Sequence, residues 1–219
     1  MPELPSGTVT FLFTDVEGST ELLRHLGGCY AHVLSTQHEL LRRAFTDSGG
    51  REVDAQGDAL FFVFASASEA VRAAAAGQRA IAAHAWPDGV EVKVRMGVHS
   101  GRASVERGHY TGLAVHRAAR ICAAAHGGQL IASQTTCGLL EDEGEDLEGV
   151  QLRDLGEQRL KDFEHPVRLY QLDVPGLPTR FPPRRTLGRD DQEPLIEIGP
   201  LLRIRLGRVW RRWWRGRSA

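Results

Sequence analysis

Residues 51–65, REVDAQGDALFFVFA, constrain the fold more than any other segment. Phe61, Phe62, Val63 and Phe64 form a short β-branched and aromatic run, and Gln56-Gly57 offers a tight turn just before it. Such a segment predicts a hairpin with one strongly buried strand. A second run of this kind, TVTFLF at residues 8–13, predicts another buried strand that ends at Thr14-Asp15. Between them, Leu22, Leu23, Leu26, Val33, Leu34, Leu40 and Leu41 recur at helical spacing after Gly18-Ser19-Thr20, with Ser19 or Thr20 available as the cap. A long first helix follows, with a bend expected at Gly27-Gly28.

The order continues with an alanine-rich helix over 68–85, an alternating strand in VEVKVRMGVHSG, a helix in GLAVHRAARICAAAH and a short strand in QLIAS. Ser133 caps a further short helix, and VQLRDLG and PVRLYQL read as closing strands. Mixed order with hairpins predicts an α+β sandwich of the ferredoxin-like kind, with helices covering one face of a mainly antiparallel sheet. This domain is expected to span residues 6–174. Residues 175–199, rich in Pro, Arg and Asp, read as an extended linker.

Charge is distributed unevenly. Residues 200–219 hold seven of the 27 basic side chains and none of the 28 acidic ones, so the rest of the chain is net acidic. An acidic body argues against nucleic acid as partner. In the tail, Leu202, Leu206, Val209, Trp210 and Trp213 would share one helical face among arginines, the composition of a helix lying on an anionic membrane surface. A disordered tail, or a helix docked on the acidic body, is the other reading. No run approaches the roughly 18 to 20 apolar residues of a spanning helix, and the N-terminus lacks a signal-peptide layout. A cytoplasmic protein, peripheral at the inner membrane face where the tail engages it, is therefore expected. Cys29, Cys122 and Cys137 lie in no ligand spacing and are expected to be reduced.

Asp15 and Asp58 are 43 positions apart, yet one closes the first strand and the other sits on the hairpin that follows. Neighbouring strand ends can bring two carboxylates to a pair of Mg²⁺ or Mn²⁺ ions, hard cations that leave sites open for phosphate oxygens. The turn VEGST adds Gly18, Ser19 and Thr20 at a helix N-terminus, suited to triphosphate oxygens. Taken singly, an Asp at a strand end or in a Gly-Asp turn is ordinary capping and turn chemistry.

The segments FTDVEGST, QGDALFFVF, MGVHSG, YTGLAVHRAAR and LGEQRLKDFEHPVRLYQL occur in one order. Together they resemble the class III adenylate and guanylate cyclases, particularly stand-alone actinobacterial forms, over roughly residues 6–178. The resemblance implies metal ligation by Asp15, Asp58 and the carbonyl of Val16, and a transition-state arginine at Arg120. It further implies ATP or GTP as substrate and a head-to-tail homodimer whose sites are shared. Arg168 matches either a contact to the triphosphate or a solvated strand-edge residue. Adenylate cyclases usually carry Lys and Asp where this chain has Asp54 and His109, and Asn where it has His116. Asp54, an acceptor, suits the guanine N1–H and N2–H₂ donors, and His116 can still donate to ribose or phosphate. These departures also admit a non-catalytic homologue acting as a regulatory or membrane-associated module.

Overall fold

The computed structural model describes residues 5–106, 109–182, 195–198 and 202–205. Seven strands lie in one sheet path: β1 (Gly7–Val16), β2 (Arg51–Gln56), β3 (Ala59–Phe64), β4 (Val94–Glu106), β6 (Leu130–Ser133), β7 (Gln151–Gln158) and β8 (Val167–Asp173), with β5 (His109–Thr111) paired to β4. The order is β2-β3-β1-β4-β6-β8-β7, antiparallel at every step except β4 with β6. Five helices flank it: α1 (Ser19–Leu26), α2 (Tyr30–Asp47), α3 (Ala67–Ala83), α4 (Leu113–Ala124) and α5 (Gln134–Glu143). The expected α+β sandwich is the fold observed.

One expectation needs correction, because helices cover both faces. Along β1, Leu12 and Val16 point toward α2, α3 and α5, whereas Val9, Phe11 and Phe13 point toward Val115, Ala118, Ala119 and Cys122 of α4. Successive strand side chains face opposite ways, so an unbroken apolar run such as FLF is stable only when both faces are covered. All of β3 is buried for the same reason. α4 lies very close to the sheet: a Cβ on Gly97 of β4 would come within 2.2 Å of the Cys122 backbone nitrogen.

The first long helix is interrupted as expected, by a 3-10 turn at Gly27–Cys29. Its N-cap, however, is Gly18 with φ 69, and neither Ser19 nor Thr20. Glycine takes this left-handed conformation at little cost, which places Ser19 inside the helix instead of at its cap.

The tail also departs from expectation at its start. Leu195–Ile198 and Leu202–Arg205 form an antiparallel pair, so Leu202 belongs to a strand where an amphipathic helix was expected, and the linker region ends in the partner strand. LRIR alternates apolar and charged residues at period two, and both segments carry β-branched isoleucines, which suits strands. Leu206, Val209, Trp210 and Trp213 lie outside the described residues. Among those described, no helix is long and apolar enough to cross a membrane.

Candidate active site

Strand register brings the two carboxylates together. β1 delivers Asp15 and Val16 at its C-terminal end, and β3, antiparallel to it, begins at the same end with Leu60 opposite Thr14. Asp58, in the turn that leads into β3, accepts a hydrogen bond from the Val16 N–H at 3.0 Å. It is only 4% exposed. Burial pushes its pKa above the ordinary carboxylate value, while hydrogen bonds from its own N–H, from Val16 and from the Ser19 hydroxyl pull the other way. The unusual cap of α1 is what aims Ser19 at Asp58. Ser19 also bonds Tyr30, whose hydroxyl is raised to about 12 by burial and then by the Asp58 charge.

Asp15 is paired with Arg95, its cross-strand partner on β4. Among the described residues the buried Arg95 Nε has no hydrogen-bond partner, and neither does Thr20 Oγ1. Among the described residues no group of three or more His, Cys, Asp or Glu could hold a metal. The donor set at this strand end is two carboxylates, which suits a hard cation and excludes a soft one. A buried carboxylate penalised by desolvation is also the kind of group that an added cation would favour.

Arg120 and His116 face elsewhere in the same chain. Arg120 is 6% exposed and donates to Asp162, in the connection from β7 to β8, at 2.5 Å. That connection joins β7 and β8 at their ends away from Asp15, but α4 runs back along β4, with Ala114 beside Gly101 and Cys122 against Gly97 and Arg95, so Arg120 lies on the part of α4 nearer the Asp15 end. The His116 pKa is lowered, first by burial and then by Arg120, with Asp162 acting in the opposite sense. Its imidazole is therefore biased to the neutral form, which keeps one donor and one acceptor nitrogen.

Asp54 lies on β2 beside a bulge between Glu52 and Asp54. Its carboxylate accepts from the Ala55 N–H at 2.9 Å and the Gln56 side chain at 3.1 Å. His109 pairs through its backbone with Glu106. Arg168 is exposed and its Nε lies 3.0 Å from Asp154 across the β7–β8 pair, at the sheet edge. Arg95, Tyr30 and Asp162 did not emerge from sequence reasoning. The position of Arg95 opposite Asp15 required the strand register, and Asp162 sits in a loop without periodicity. Cys122 is not a candidate nucleophile, since burial pushes its thiol up to about 12.

Comparison with known proteins places this geometry in a family. Over 184 residues the chain is 32% identical to an uncharacterised protein of Mycobacterium tuberculosis, covering 83% of this chain and 61% of that one. It is 31% identical over 281 residues to the adenylate cyclase of Mycosarcoma maydis, covering 90% of this chain but 11% of that far longer protein. The chain thus spans about three fifths of its mycobacterial relative and about a tenth of the fungal enzyme. Its fold matches the structure of an adenylate cyclase from Trypanosoma brucei in its monomeric state, with a TM-score of 0.73 and 26% identity over 84% of this chain and 96% of that one. Residues 1–173 match the adenylate and guanylate cyclase catalytic domain, and the chain belongs to that family.

Proposed function

We propose that this chain is a nucleotide cyclase that converts a purine nucleoside triphosphate to its 3′,5′-cyclic monophosphate and pyrophosphate, at sites shared between two copies. The observation that carries the reading is the convergence of Asp15 and buried Asp58 at one strand end, joined through the Val16 N–H. Asp15, Asp58 and the Val16 carbonyl would hold two Mg²⁺ or Mn²⁺ ions, which when bound supply activation of the ribose hydroxyl and neutralise the leaving pyrophosphate.

The chain's own residues account for the rest. Gly18, Ser19 and Thr20 open α1, where backbone N–H groups and the helix dipole favour triphosphate oxygens, and the unpartnered Thr20 Oγ1 adds an oxygen that can donate to one. Arg120 offers planar donors to the negative charge that builds on the α-phosphate as the hydroxyl attacks. His116, held neutral, donates to ribose or phosphate. In the resting chain Asp15 pairs with Arg95 and Arg120 with Asp162, and in the proposed dimer a second chain supplies the arginine to a given metal pair. Asp54, an acceptor, favours guanine, and His109 is assigned the second base-reading role.

Purified protein incubated with Mn²⁺ and either triphosphate, followed by mass spectrometry, tests the reading. Cyclic nucleotide is expected from the wild type, in larger amount from GTP, and none from Asp58→Ala. Absence of both cyclic products from the wild type would overturn it.

A further inference from the structure

The connection between β7 and β8, residues 159–166, is fastened to α4 by three contacts of different kinds. Leu160 is buried with Ile121 of α4, Ile131 and Leu169, and Phe163 packs against the same group. The Phe163 ring lies 5.0 Å from the guanidinium carbon of Arg117, a cation–π contact. Asp162 accepts from Arg120 Nη2 at 2.5 Å. Arg117, Arg120 and Ile121 lie three and four positions apart, on one helical face, so loop and helix meet along a stripe.

Two further features single out Asp162. Its φ is 66, in the left-handed region that a residue with a Cβ seldom occupies, so surrounding contacts must hold it there. Its side chain is 60% exposed while that of Arg120 is 7% exposed. The carboxylate thus reaches in from solvent to a guanidinium already enclosed by the protein.

We infer that Asp162 is a positioning residue for Arg120, fixing the plane of the guanidinium before a nucleotide arrives. An arginine side chain has many rotamers, and its value to a transition state depends on its donors being aimed in advance. A charge-assisted bond to one Nη defines the plane in which the other donors lie. The same bond lets the Arg120 charge be buried, since an enclosed guanidinium without a carboxylate would be strongly penalised. The loop contacts of Leu160 and Phe163 keep Asp162 in place. This inference rests on the cyclase reading only for what Arg120 does afterwards; the anchoring itself is a property of the resting chain.

The test uses the full chain with Asp162→Ala, Asp162→Asn, Arg120→Ala and the Asp162→Ala/Arg120→Ala double variant. Asp162→Ala should lower kcat by about tenfold or more and leave KM within about twofold, since the loss falls on the transition state and not on ground-state binding. Asp162→Asn, which keeps an acceptor, should recover most of the rate. In the Arg120→Ala background, Asp162→Ala should cost nothing further. Arginine side-chain NMR supplies a readout independent of turnover: the Arg120 guanidinium, assigned by its loss in Arg120→Ala, should show hindered Nη rotation in the wild type and measurably faster rotation in Asp162→Ala. Unchanged or increased kcat in Asp162→Ala, an equal loss in both backgrounds, or unchanged guanidinium dynamics would each overturn the inference. A wild type without cyclic product would overturn the cyclase reading instead, and the NMR comparison would still decide the role of Asp162.

Discussion

The hydrogen bonds that Asp58 accepts offset only part of the cost of burying its charge. The carboxylate is buried and ionises against a desolvation penalty, so removing its charge should relieve the fold. Asp58→Asn, which keeps an acceptor for the Val16 N–H, is expected to be more stable than the wild type by roughly 1 kcal/mol in the presence of a chelator. Addition of Mn²⁺ should then raise the melting temperature of the wild type and not of the variant. Thermal denaturation with and without metal checks both halves. His99 gives the opposite kind of case. Burial holds its pKa at about 4, and its Nδ1 lies 2.7 Å from Ser133 Oγ in a network with Thr136, Ser100 and Thr10. The unfolded chain then binds a proton near pH 6.5 that the folded chain refuses. Stability should fall as pH drops from about 6.5 to about 4, by about 3 kcal/mol from this group, and level off below. Denaturant titrations at pH 7.5 and 4.5 should show that loss in the wild type and a smaller one in His99→Gln. Asp15 and Asp58 were legible in the sequence because a carboxylate at the end of a buried run stands out. Arg95 was not, since its meeting with Asp15 depends on which strands pair.

Elements were read well wherever a single periodicity ruled. The hairpin of β2 and β3, the break after α1 and the Ser133 cap of α5, where Ser133 Oγ accepts from the Thr136 N–H, all follow local rules. The placement of α4 on the opposite face from α2 and α3 was hidden, because its alanines can pack anywhere and local pattern does not choose a face. That packing makes a prediction at Gly97. A methyl group there meets backbone atoms of Cys122 at 2.2 and 2.5 Å, which no rotamer change can relieve, so α4 must lift. Gly97→Ala should destabilise the protein by about 1–3 kcal/mol and shift Arg120 and His116, reducing turnover more than the stability loss alone explains. Urea titration together with steady-state rates separates the two effects. Leu202–Arg205 shows the reverse failure, where a long amphipathic reading overrode a four-residue alternation.

For the whole molecule, topology was the hardest thing to anticipate and has the largest functional bearing. The alternation of elements pointed to an α+β sandwich, but only the strand order shows that β1, which carries Asp15, lies between β3 and β4 while β8 and β7 lie beyond β6. Alone, chains carrying Asp58→Ala should be inactive and chains carrying Arg120→Ala should keep only a small residual rate. Mixed, they should regain activity if sites are shared as proposed, because a mixed dimer would then hold one intact site. Activity that stays absent after heterodimers are verified by mass spectrometry would mean that each chain builds its own site. A site shared between two chains, as proposed, would also set how the rate responds to abundance. Well below the dimer dissociation constant, product formation should rise with the square of chain concentration and become linear only above it. A cell that doubled its copies of such a chain would quadruple the signal, so synthesis and turnover of the protein would themselves serve as an input.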